Sequence, residues 1–210
     1  MTHTPAGLIV AVLDPLGLAE EVVAALQSAG AIAFATTDPK EAAAADGLVL
    51  PGGADFAETV KALGSVHGAR VVGQRLAGAR PVLAIGTGMQ VLFEQLRIDD
   101  STTPGLGEWP GAVEKLQGVC AAAAVEAAPG SEMLRGVEGE LEFDTEFGVL
   151  DFALQEDEFI AYPRLSWAQY GDQRVLAAVE NGALWAAQFH PERSGEAGAR
   201  VFANWLAQLG

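Results

Sequence analysis

Through the first half of the chain, short apolar runs alternate with stretches of helical periodicity. Residues 8–13 form an apolar run of strand length, and residues 18–29 follow with apolar positions on one helical face, ending at Gly30. Residues 31–35 read as a second strand. Residues 47–50 read as a third, closed by Pro51-Gly52-Gly53. A helix over residues 70–77 ends in a turn at 78–80, and residues 81–85 return to strand. Gly86-Thr87-Gly88 then breaks the run, and a helix over residues 89–96 is expected next. Alternation of this kind implies parallel strands with crossover helices on both faces.

From residue 99 to about 161 the pattern weakens. Residues 101–111 carry proline and glycine without a period, and residues 121–129 fit either strand or helix. Order returns with strand-like runs at 175–180 and 184–189, joined by the hairpin dipeptide Asn181-Gly182. A last amphipathic helix over residues 197–208 sets Val201, Phe202, Trp205 and Leu206 on one face. No repeat, linker or low-complexity tract divides the chain, so residues 1–210 read as one domain. The expected fold is α/β, a doubly wound, mostly parallel sheet with flanking helices and antiparallel strands in the C-terminal half.

Composition narrows the function. Half of the 210 residues are hydrophobic and only 19% are charged, which excludes a disordered chain. A formal net charge of −16 argues against nucleic acid and anionic membrane as partners, because phosphate binding needs a basic patch. The single cysteine, Cys120, excludes an internal disulfide and a thiolate zinc cluster, and suits a reducing compartment. The apolar run at 8–13 has no basic region before it and is cut by Asp14-Pro15, so no targeting signal is read. No apolar stretch reaches the length of a membrane span. A soluble cytoplasmic protein without metal or cofactor is expected.

Three segments lie where strand ends should meet: Pro51-Gly52-Gly53, the turn at Gly86, and Gln188-Phe189-His190-Pro191-Glu192. In an open parallel sheet, sites form at the carboxyl ends of strands. A buried strand that runs through a glycine-flanked turn into a helix pushes one side chain to the mouth of the sheet, where a nucleophile usually stands. Here the tip is Gly86, which has none. Glycines at 52 and 53 let backbone N–H groups face an oxyanion. His190, with Glu192 two residues on, has the makings of a base held in one tautomer.

Together these segments resemble the class I glutamine amidotransferases, and within them the glutaminase subunits of imidazole glycerol phosphate synthase, from histidine biosynthesis. The family's Gly-x-Cys-x-Gly-Met-Gln turn is matched by residues 84–90, its Pro-Gly-x-Gly-x-Phe oxyanion strand by residues 51–56, and its Gln-Phe-His-Pro-Glu-Lys-Ser-Gly ending by residues 188–195, with Arg193 in place of the lysine. Residues 105–111 look like its Gly-Leu-Gly…Pro-Gly segment. The resemblance implies a nucleophile position at Gly86, His190 as base, Glu192 as its orienter, and Gly52, Gly53 and Gln90 around the substrate. The partner it implies is a (β/α)8-barrel synthase subunit.

The departures matter as much. The family's cysteine attacks the glutamine amide and releases ammonia, and Gly86 stands in its place. Thr87 is next to it, but its hydroxyl should point elsewhere, and Cys120 reads as a core residue. The Gly-Asn pair after the first strand is missing. The Pro-His-Met-Gly-Trp-Asn segment is replaced by residues 118–123, and residues 143–147 match the glutamine-holding Phe-Val-His-Ser-Tyr segment at best loosely. The resulting expectation is a degenerate amidotransferase that has lost glutaminase chemistry and acts by binding a partner. Two alternatives stay open: a working synthase subunit with an unrecognised nucleophile or fed by free ammonia, and a small-molecule sensor. Gln90 either holds substrate or merely caps its helix or faces solvent. His67 reads as a surface histidine, and the acidic stretch 138–146 as a solvated edge or a new contact surface.

Overall fold

The computed structural model describes residues 7–152, 154 and 162–209; the end of the weakly patterned stretch, 155–161, lies outside them. In chain order the elements are β1 (Ile9–Leu13), α1 (Glu20–Ser28), β2 (Ile32–Thr36), α2 (Pro39–Ala44), β3 (Gly47–Leu50), α3 (Phe56–Ser65), α4 (Gly68–Ala77), β4 (Val82–Ile85) and α5 (Thr87–Gln90). There follow β5 (Phe93–Ile98), β6 (Ser101–Pro104), β7 (Trp109–Glu126), β8 (Glu140–Gly148), β9 (Arg164–Tyr170), β10 (Gln173–Asn181), β11 (Leu184–Ala187), a 3-10 turn (Pro191–Arg193) and α6 (Gly195–Leu206).

The sheet runs β2-β1-β3-β4-β11-β10-β9-β7-β5-β6, with β8 paired to β7 beside this path. The five strands from β2 to β11 are mutually parallel. From β11 onward antiparallel pairs dominate: β10 with β11, β9 with β10, and the long β7 with both β8 and β9. β3, β4 and β11 are buried along their whole lengths, as strands covered on both faces must be.

Alternating side chains feed two separate cores. Val10, Val12, Val49, Leu83, Ile85 and Trp185 pack under α1 and α6 through Val22, Leu26, Val201, Phe202 and Trp205. Ala11, Leu13, Leu48, Leu50, Val82 and Ala84 pack on the opposite face with Ala42 of α2, Phe56 and Leu63 of α3, and Val71 and Val72 of α4. This is the doubly wound arrangement expected. Two of its helices, α2 and α3, carry no prediction. Both open on an aspartate cap that accepts a main-chain N–H: Asp38 from Lys40 and Asp55 from Glu58.

One expected element is corrected. The helix over residues 89–96 does not form; α5 stops at Gln90 and β5 begins at Phe93. The carbonyls of Val91, Leu92 and Phe93 accept instead from the amides of Leu106, Glu108 and Trp109, and Gly107. Gly105 makes this approach possible, since a β-carbon there would lie 2.1 Å from the Phe93 carbonyl oxygen. Val91, Leu92 and Phe93 are all buried, and a short continuous apolar run does not tell helix from strand. Residues 101–111, patternless in sequence, supply β6 and the start of β7, and residues 121–126 are strand.

Candidate functional site

The three segments do meet, at the carboxyl ends of β3, β4 and β11. Gly86 ends β4 with φ 54° and ψ −121°, a backbone conformation that disfavours any side chain with a β-carbon. Its N–H donates to the Ala187 carbonyl, and its own carbonyl accepts from Met89 and Gln90, so the turn is locked at both ends. Gly52 lies directly alongside. A β-carbon on Gly52 would sit 2.8 Å from the Ile85 carbonyl oxygen and 3.0 Å from the Thr87 nitrogen. Gly53, at φ +114°, turns the chain away toward α3.

His190 leaves the end of β11 and reaches back over this turn. Its Nδ1 lies 2.7 Å from Glu192 Oε1, and both side chains are nearly buried, at 10% and 5% exposure. A carboxylate accepts, so Nδ1 carries the hydrogen and the lone pair of the neutral ring falls on Nε2. The second carboxylate oxygen, Oε2, is buried and has no hydrogen-bond partner among the described residues. The main chain holds the ring as well: His190 N–H donates to the Glu142 carbonyl, and its own carbonyl accepts from Ser194 Oγ.

The imidazole stands very close to the tip. A β-carbon on Gly86 would lie 2.8 Å from His190 Cε1 and 3.0 Å from Nε2, tighter than real side chains tolerate. Thr87 offers no substitute, because its hydroxyl donates to the Ala54 carbonyl at 2.8 Å. Cys120 is fully buried on β7, and burial pushes its thiol above the ordinary value, which keeps it protonated and inert.

In front of this group lies a cavity of about 550 Å³. Gly53, Ala54, Asp55 and Phe56 line one side, Gly86, Thr87 and Gln90 the floor, and Gln188, His190 and Arg193 another side. Residues 144–147 of β8 form part of the wall, so this loosely matching segment does stand at the site; residues 118–123 do not line it. Sequence reasoning missed the wall from β5 and β6, namely Leu96, Ile98 and Thr103, because a helix was expected over residues 89–96 and residues 101–111 showed no period. The alternation of apolar Leu96 and Ile98 with polar Gln95 and Arg97 was the available signal.

Gln90 is also corrected in part. It neither caps α5 nor faces solvent: at 4% exposure its Nε2 donates to the Phe147 carbonyl at 3.1 Å and to Gln188 Oε1 at 3.2 Å. Arg193 ties the rim together, bonding Glu21 of α1 at 2.9 Å and facing Asp144 at 3.7 Å. The Glu21 hydrogen bond holds its guanidinium above the ordinary value, and Glu192 and Asp144 add to this. His67 is exposed at the start of α4. Among the described residues no cluster of His, Cys, Asp and Glu is arranged to hold a metal ion, and no helix is long and apolar enough to cross a membrane.

Comparison with known proteins decides the lineage. The chain is 44% identical over 191 residues to the imidazole glycerol phosphate synthase subunit HisH of Corynebacterium efficiens, covering 88% of this chain and 90% of that protein. The HisH subunit of Leifsonia xyli subsp. xyli is 45% identical over 201 residues, covering 92% and 94%. This chain belongs to the HisH family. The HisH subunit of Thermobifida fusca, at 43% identity over 192 residues, agrees. No family model matches the chain. Solved structures support the fold. The crystal structure of a glutamine amidotransferase matches with a TM-score of 0.63 at 21% identity, covering 94% of this chain and 98% of that one. The glutaminase domain of Trypanosoma brucei CTPS matches at 0.65 and 16%, covering 96% and 92%. The turn, the histidine and the cavity therefore sit on a glutamine amidotransferase fold.

Proposed function

We propose that this member of the HisH family does not hydrolyse glutamine and acts instead as a binding subunit, whose partner is a (β/α)8-barrel synthase subunit. The observation that carries the reading is Gly86 itself. The resemblance puts the nucleophile at this position, covalent amide hydrolysis needs an activated nucleophile beside the base, and here the imidazole occupies the space a side chain would need. Membership of the family and coverage of most of its length support a retained partner surface.

The test is an ammonia assay on the purified chain with glutamine, alone and with a synthase-type barrel, beside co-purification of the two. Stable association without ammonia release is expected. Glutamine turnover that disappears in His190→Ala would overturn the reading in favour of a working glutaminase. That second reading is favoured by one observation, the intact 2.7 Å contact between His190 and Glu192.

A further inference from the structure

We infer that the site has acyl-transfer chemistry of its own: His190 Nε2 is a nucleophile toward small activated esters and thioesters, which the chain hydrolyses through an acyl-histidine. Where a side chain at the tip would normally hold the ring away from the turn, Gly86 lets the imidazole close onto it, with Nε2 only 3.0 Å from the β-carbon position. The nitrogen thus stands in contact distance of the position from which a tip side chain would start. The contact to Glu192 Oε1 fixes hydrogen on Nδ1 and leaves the Nε2 lone pair to the cavity. The ring is nearly buried and anchored by its main chain, so its aim is fixed before any ligand arrives.

The same few ångströms offer donors for a developing oxyanion. Among the described residues, the amides of Gly53 and Thr87, both on the cavity wall, meet no acceptor, and Gly52 packs against the Thr87 nitrogen. Such fixed N–H groups stabilise the tetrahedral intermediate rather than the ground state. The carboxylates of Asp55, Asp144 and Glu146 on the cavity wall outnumber the guanidinium of Arg193, which faces Asp144, and so favour neutral or cationic acyl groups over anionic ones.

In the first step the Nε2 lone pair attacks the acyl carbon, and the carbonyl electrons move to an oxygen that the backbone amides hold. Collapse expels the alkoxide or thiolate with its bonding pair, leaving an acyl-imidazolium whose Nδ1–H stays on Glu192. Water then adds to the acyl carbon and gives up one proton, which neutralises the expelled alkoxide or thiolate through solvent. Nε2 departs with its electron pair, and the carboxylic acid leaves with the water's oxygen and its other hydrogen. An amide does not follow this route, because an amine anion is a far poorer leaving group than imidazole. Ester hydrolysis and glutamine hydrolysis are therefore separable by experiment.

The experiment mixes the purified full chain with p-nitrophenyl acetate and follows p-nitrophenolate by stopped flow. Portions are quenched in acid for peptide mass spectrometry. A burst close to one equivalent and an acetyl group on the peptide bearing His190 are expected. His190→Ala abolishes both, and His67→Ala changes neither. Gly86→Ala, whose methyl would displace the ring, reduces the burst rate by about 10-fold or more. A wild-type chain with no burst, or one acetylated only at other residues, overturns the inference without recourse to any variant. So does a burst that survives in folded His190→Ala.

Discussion

At the scale of single residues, Gly86 sets the shape of the turn. Its positive φ is a conformation that costs a residue with a β-carbon of order 1–3 kcal/mol, and the imidazole adds a steric cost at 2.8 Å. Glycine's greater freedom in the unfolded chain works the other way by about 0.4–1 kcal/mol. Gly86→Cys should therefore lower stability by about 1–2 kcal/mol in denaturant unfolding. It should also release no ammonia from glutamine, since the ring, held by Glu192 and by its own main chain, must shift before the thiol fits. A rise in stability, or ready turnover by this single variant, would contradict the crowding at the tip. The sequence showed the missing side chain. It could not show the closeness of the ring, which depends on three strand ends meeting in space.

At the scale of elements, polar anchors hold the helices that the apolar pattern left unmarked. Arg75 of α4 is 1% exposed and gives its guanidinium to main-chain carbonyls of Ala42, Ala43, Ala45, Asp46 and Pro81. Burial pushes its pKa down to about 10, with the neighbouring Arg80 charge adding to this. Of these carbonyls, those of Ala43 and Ala45 also accept from Arg80 and that of Pro81 from the Leu48 amide, so among the described residues those of Ala42 and Asp46 rest on this one group. Arg75→Met keeps the apolar stem but strands these acceptors, and should cost about 3 kcal/mol, read as a shift in the denaturant midpoint at unchanged slope. A loss below about 1 kcal/mol would mean that water replaces the guanidinium freely. The strands β1, β3 and β4 were legible because each is one apolar run bounded by turn residues. α2 was not, since Pro-Lys-Glu-Ala-Ala-Ala has too little apolar surface to show a period. β5 was hidden for the opposite reason: its start at Phe93 continues the apolar pair Val91-Leu92 that follows α5 without a break.

At the scale of the whole molecule, the sheet carries two different tasks. Its parallel half gathers Pro51-Gly52-Gly53, the turn at Gly86 and the histidine at the carboxyl ends of its strands. Its antiparallel extension, through β8, closes the cavity from the other side. The alternation of strands and helices made the first half readable. The second half was opaque because β7 spans 18 residues, and alanines and glycines interrupt its apolar alternation. Cys120 lies within that strand, opposite Thr145 of β8, with no exposed surface. Being the sole thiol, it should react with a disulfide reagent only as fast as the extension opens. Its labelling rate should fall well below that of a free thiol and rise with denaturant alongside unfolding. Rapid labelling in native buffer would mean that β7 and β8 separate independently of the rest.

The packing of Gly52 against the turn has an evolutionary meaning. Any side chain on Gly52 collides with main-chain atoms of residues 85–87, and any on Gly86 collides with His190, so each position constrains what its neighbours can become. A cysteine arriving at the tip by chance meets a closed slot and a stability penalty before it meets any benefit. The histidine would have to retreat in the same step for selection to see a gain. Such a site behaves as a ratchet: single substitutions lead away from thiol chemistry far more readily than they lead back.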